Sequence, residues 1–395
     1  MPRTTGPWAV TTALTLAGCS TGEQRRVVDA EPAKIDDGAV AAARAEAPPQ
    51  GDSRTLTGAW TPAPGRIVDI AATDDTLFLA DVPEAGHPMR VHAGRWQGGQ
   101  WRWETPWSVP FPPTVPPGHD LASSDAWLGV DVGPDGTHVA LARIEYQGGS
   151  HGIALATLTG GAWTDTAEIA SPTDSDIAFG RPALRRGDAL WTADGHDRLW
   201  HYRRANHRWQ GQSIAAPPGG TLLERPPMDL SVDGSRLVIA YQDAAAKPAL
   251  ALYVHKNTGG HALAGTRALP GPVSALAFAG AELFVGFTRP GADGAIVWAL
   301  APTLPDPLAP ARRLEFPAPA DPKHEHLSDF DVSADWVLIL QPDAVWVRDR
   351  GAAGPPRRLD LLPAGDGKPR RPAGVLMGTF AVLLVDGRLG TFALE

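Results

Sequence analysis

Met228-Asp229-Leu230-Ser231-Val232, four further residues, then Leu237-Val238-Ile239-Ala240 form the stretch that decides the fold. A short strand, a turn and a nearly continuous apolar run read as a β-hairpin whose second strand is buried on both faces. The pattern recurs. Upstream, Val68-Asp69-Ile70-Ala71 precedes Leu77-Phe78-Leu79-Ala80, and Val130-Asp131-Val132 precedes Val139-Ala140-Leu141-Ala142. Downstream, Phe330-Asp331-Val332 precedes Val337-Leu338-Ile339-Leu340, and Val375-Leu376-Met377 precedes Val382-Leu383-Leu384-Val385. Weaker copies join Ala183-Leu184 to Leu190-Trp191, and Ala275-Leu276-Ala277-Phe278 to Leu283-Phe284-Val285-Gly286. The second strands thus begin at 77, 139, 190, 237, 283, 337 and 382, at intervals of 45 to 62 residues. Units of four short strands repeat with such a period.

Each unit also supplies a third strand, such as Leu250-Ala251-Leu252-Tyr253, and the first six supply a fourth, such as Trp101-Arg102-Trp103-Glu104. The seventh unit ends at Glu395 after its third strand, while a spare strand-like segment stands at 54–60. An unclosed array would expose two sheet edges, so the spare segment is expected to supply the missing strand. The prediction is an all-β, seven-bladed β-propeller of four-stranded antiparallel blades, closed by 54–60. Over 54–395 the repeats resemble WD-repeat-like β-propellers, without the paired Gly-His and Trp-Asp of true WD repeats. Sialidase-type turns and the tryptophan-docking repeats of quinone-dependent dehydrogenases are likewise missing. The resemblance therefore implies a fold and carries no subfamily's activity.

The first residues read as an export signal. Arg3 and the amino terminus precede a short apolar stretch from Trp8 to Leu16, too short to span a bilayer. Leu16-Ala17-Gly18-Cys19 resembles the bacterial lipobox at all four positions. That resemblance implies cleavage before Cys19 and its lipidation, hence a membrane anchor, in the outer membrane if the host has one. Residues 1–18 are then a lipoprotein signal peptide. Residues 19–53, rich in Ala, Pro, Glu, Asp and Arg, are a lipidated Cys and flexible tether before the propeller at 54–395. Cys19 is the single cysteine, so no intrachain disulfide staples the fold.

The net charge of −9 is spread along the chain without a basic stripe, which argues against nucleic acid as a partner. Gly 43 and Pro 39 suit many tight turns. Counting back eight residues from the second strands lands on Asp69, Asp131, Asp229 and Asp329 in four of seven units. Inner strands line a propeller's channel, so these carboxylates are candidates for its mouth, where they can hold Ca2+. The competing reading has each accept main-chain N–H groups of its own turn or of the next blade. His324 and His326 flank Glu325 and are weak metal-ligand candidates; a solvated polar loop is the competing reading. Trp96, Trp101, Trp103 and Trp200 are candidates for an aromatic surface that stacks on sugars or anchors a protein. Packing between blades is their competing role.

No catalytic motif stands out. The expectation is a monomeric cell-envelope lipoprotein whose propeller is a binding or scaffold module for a protein or glycan. A glycan-directed hydrolase or lyase, with its site at the channel mouth, is the first alternative. An envelope assembly factor is the second, through similarity to the propeller lipoprotein of the outer-membrane barrel assembly machinery.

Overall fold

The computed structural model describes residues 55–394, except 83–87, 110–124, 145–151, 172–178, 181, 195–197, 224–225, 257–259, 291–295, 302–307, 320–324, 352–353 and 362–371. The expected signal peptide, Cys19 and the tether lie outside the described residues. Among those described, all regular structure is β, in seven sheets that are antiparallel but for one added strand. The protein is a seven-bladed β-propeller.

The inner strands are Ile67–Ala72, Asp125–Gly133, Ala183–Arg186, Met228–Leu230, Val273–Ala279, Asp329–Val332 and Ala373–Met377. Each pairs with the apolar second strand that followed it in the repeat; Met228 faces Ile239, for example, and Phe330 faces Ile339.

Strand geometry explains why those second strands are apolar throughout. Successive side chains point to opposite faces, and in a propeller each face of a blade meets a neighbour. Phe78 and Ala80 enter the seam between blades one and two, whereas Leu77 and Leu79 enter the seam between blades seven and one. Val337 and Ile339 pack toward blade five, and Leu338 and Leu340 toward blade seven. The described core resolves into seven apolar clusters, one for each seam.

Ring closure differs in detail from the expectation of one strand over 54–60. That segment gives two strands on two blades. Ala59–Pro62 is the missing fourth strand of blade seven, antiparallel to Arg388–Ala393, with Trp60 opposite Gly390. Thr55–Leu56 instead adds a parallel fifth strand to blade six, beside Arg358 and Leu359. Trp60 lies edge-on to Phe392, with ring centroids 5.8 Å apart. Glycine is required twice in this crossing. A Cβ on Gly58 would come within 2.6 Å of the Phe392 ring, and one on Gly390 within 2.7 Å of Trp60.

Candidate functional site

The inner strands diverge around the axis, so one edge of each has no neighbouring strand to satisfy its main-chain groups. Four aspartates solve part of this problem. Asp69 Oδ2 accepts the N–H of Leu128 on blade two at 2.6 Å, while its Oδ1 accepts Ile70 N–H at 2.9 Å. Asp131 accepts the N–H of Gly187 on blade three at 3.3 Å and pairs with Arg186 at 3.5 Å. Asp229 accepts the N–H of Phe278 on blade five at 2.6 Å. Asp331 accepts the N–H of Leu376 on blade seven at 2.7 Å. In every case a carboxylate on one blade grips an amide of the next. At the seam between blades three and four, Arg186 donates to the Leu230 carbonyl at 3.3 Å.

Three of the four channel candidates, Asp69, Asp131 and Asp229, are therefore inter-blade clasps. The fourth, Asp329, accepts the N–H of its own neighbour Phe330 at 2.8 Å, and Asp331, two residues on, makes the clasp. Burial pushes the Asp229 carboxyl up to about 6, against the lowering pull of Arg186 and of two amides. Asp329 is also raised to about 6 by desolvation, and the charge of Asp331 adds to the rise. Asp329 nonetheless keeps exposed surface. Among the described residues, no group of three or more His, Cys, Asp or Glu side chains is disposed to hold a metal ion.

His324 lies outside the described residues. His326 is half-buried; its N–H bonds Thr288 O, and its carbonyl accepts from the Gln341 amide at 2.9 Å. Desolvation and Arg289 lower its pKa.

The four candidate tryptophans are half-buried. Trp96, Trp101 and Trp103 pack on the core of the seam between blades seven and one. Trp101 stacks on Trp103 with centroids 5.5 Å apart, and Trp103 covers Gly94 so closely that a Cβ there would lie 2.4 Å from the indole. Trp200 stacks on Tyr202 and donates to Asp194 Oδ2 at 2.9 Å. Much of this aromatic surface thus serves blade packing.

Another site emerges between blades three and four. His201, on the third strand of blade three, meets His255 and His261, which face each other across a hairpin of blade four. The centroids of His201 and His255 each lie about 5 Å from that of His261, at 5.1 and 5.2 Å. Trp191 stacks on His201 at 4.6 Å and donates its indole N–H to His261 Nε2 at 3.2 Å. Arg203 donates to His255 Nε2 at 3.1 Å. Desolvation, first, and the surrounding basic groups hold His201 and His261 down at about 4, so both are neutral at pH 7. His201 is 4% exposed, and its Nε2 has no hydrogen-bond partner in the protein; nor has the buried Nδ1 of His261. Both rings line a cavity of about 270 Å3, together with Gln212, Ser213, Ile214, Ala215, Lys256 and Gly260. No local motif announced this site, because its histidines come from two blades. The one local signal is the pair His255 and His261, close in sequence.

No protein-family model matches the chain, and no curated protein matches it. Solved structures do. The β-propeller domain of Cps50 (Swd1) from Myceliophteria thermophila aligns with a TM-score of 0.54 at 12% identity, over 84% of this chain and 98% of that one. PorZ, a bacterial surface component of the type-IX secretion system of Porphyromonas gingivalis, aligns at 0.49 and 11% identity, over 84% of this chain and 47% of that one. At such identities the likeness is one of fold alone, and the match to the Cps50 domain agrees with the seven-bladed β-propeller described above.

Proposed function

We propose that this chain is a cell-envelope lipoprotein whose propeller is a non-catalytic binding or scaffold module for a protein or glycan, displayed from lipid on Cys19. The observation that carries the reading is what the inner-strand carboxylates do. Asp69, Asp131, Asp229 and Asp331 hold amides of the next blade. Such groups stiffen a preformed surface; they do not stand free to exchange protons with a ligand. The Leu16–Cys19 motif supports the anchor.

Two measurements test the proposal. Mass spectrometry of membrane-extracted protein is expected to find the mature chain beginning at an acylated Cys19; an unmodified thiol there overturns the anchor. Incubation with envelope glycans and envelope proteins is expected to give saturable retention with no chemical change in either. Time-dependent appearance of new glycan ends would replace the binding module with a hydrolase or lyase. One observation favours that second reading: Asp329 keeps exposed surface and its carboxyl, raised to about 6, suits a general acid near neutral pH.

A further inference from the structure

The seam cavity between blades three and four has a fixed hydrogen-bonding polarity. A tryptophan indole and an arginine guanidinium can only donate. Trp191 therefore requires a bare Nε2 on His261, and Arg203 requires the same of His255. A neutral imidazole with a bare Nε2 carries its proton on Nδ1. His261 thus holds an N–H donor at Nδ1, buried and without a partner in the protein. A buried donor left alone costs on the order of 1–3 kcal/mol, which a ligand acceptor would recover. The same tautomer opposes a metal, since Nδ1 offers no lone pair while Trp191 holds Nε2.

The surroundings agree in sign. The charged or titratable groups acting on His201 and His261 are Arg203, His255 and His261 itself, all basic. Lys256, on the cavity wall, adds an exposed ammonium. Ser213 and Gln212 supply further polar atoms at the wall. At about 270 Å3 the space falls just short of the usual range for drug-sized ligands.

We propose that this cavity is a binding site for a small oxyanion: the carboxylate, sulfate or phosphate group of a ligand about the size of one sugar unit. It gives the binding propeller a ligand class and rests on that reading only to this extent. Whether larger partners are retained on the ring is a separate measurement, so the two ideas fail separately.

Imidazole nitrogen NMR on the purified chain tests it, with sodium glucuronate, sodium sulfate, sodium phosphate and zinc chloride as probes. The ligand-free spectrum is expected to show His261 as the Nδ1–H tautomer. At least one of the three anions is expected to shift the His201 and His261 ring signals saturably, where chloride does not. The arm that responds identifies the source of the oxyanion. Lys256→Met is expected to weaken that binding about tenfold or more, as loss of a charge-assisted contact should. Lys256 is exposed, so the variant is expected to keep the wild-type melting temperature. Any of four results overturns the proposal: an Nε2–H tautomer at His261, no saturable shift with any of the anions, unchanged affinity in Lys256→Met, or stoichiometric zinc binding by the three imidazoles.

Discussion

Asp229 and Phe278 stand 49 residues apart in sequence, yet the carboxylate of one accepts the main-chain N–H of the other at 2.6 Å. The bond crosses the seam from blade four to blade five beside the axis. Asp229→Ala removes the acceptor and leaves that amide unsatisfied, so a loss of about 1–3 kcal/mol is expected in urea unfolding. Asp229→Asn keeps an acceptor oxygen and is expected to lose less. Equal losses would show that charge, not the amide bond, is what the site needs.

Trp60 tests the closure. It is half-buried against Phe392 and Gly390, and Trp60→Ala is expected to cost about 2–3 kcal/mol, below the range for fully buried aromatics. Deleting 55–62 is expected to do more. It bares the outer edges of blades six and seven together, and light scattering should find strand-swapped dimers or larger species. A monomeric deletion variant would mean that the ring does not need its closing strand.

Arg185 offers the strongest single-site effect. It is 2% exposed, donates to Ala156 O at 2.8 Å and Gly187 O at 3.1 Å, and lies over Trp209. Arg185→Ala leaves those carbonyls without this donor, while Arg204 still holds the nearby Asp165. A loss of about 3–5 kcal/mol is expected from two hydrogen bonds to a buried charged group. A loss under about 1 kcal/mol would show that water replaces the guanidinium.

Acid should pull the fold in two directions. His201 and His261 titrate at about 4 when folded, against an ordinary 6.5, so the unfolded chain takes up their protons first. Their contribution is complete above pH 6.5 and is lost as pH falls toward 4. Asp229 and Asp329 do the reverse. Raised to about 6 from 3.8, they protonate first in the folded chain, so they gain stability as pH falls through that window. Variants separate the two. Asp329→Asn is expected to raise the melting temperature at pH 8 and leave it unchanged near pH 4. His201→Asn is expected to flatten the decline between pH 6.5 and 4. Identical pH profiles for both variants and wild type would refute these assignments.

The seven blades were legible because their second strands face two seams. Double burial writes itself as an unbroken apolar run, as in Leu237-Val238-Ile239-Ala240. Closure by the amino-terminal segment was legible from a count of strands. Its division between two blades was not, because only the distant pairing of Leu56 with Leu359 decides it. The clasp on blade six was missed by one pleat. A fixed count of eight assumes equal hairpins, but Asp229 lies opposite Val238 whereas Asp329 lies opposite Leu340. Asp331, two residues on and on the same strand face, reaches Leu376. The imidazole cavity left almost no trace, since His201 and His261 meet only across a seam.

The pairing of 59–62 with 388–391 also sets an order of events. Strand Ala59–Pro62 waits for its partner until synthesis has passed residue 388. Until then blade seven is incomplete, and Leu56 and Trp60 lack the surfaces that will cover them. Contacts of such long sequence separation form late and slowly. A chain interrupted before residue 388 cannot close and stays open to proteases and chaperones. Completion of the ring is thus a record, readable from outside, that synthesis has passed the strand beginning at Arg388.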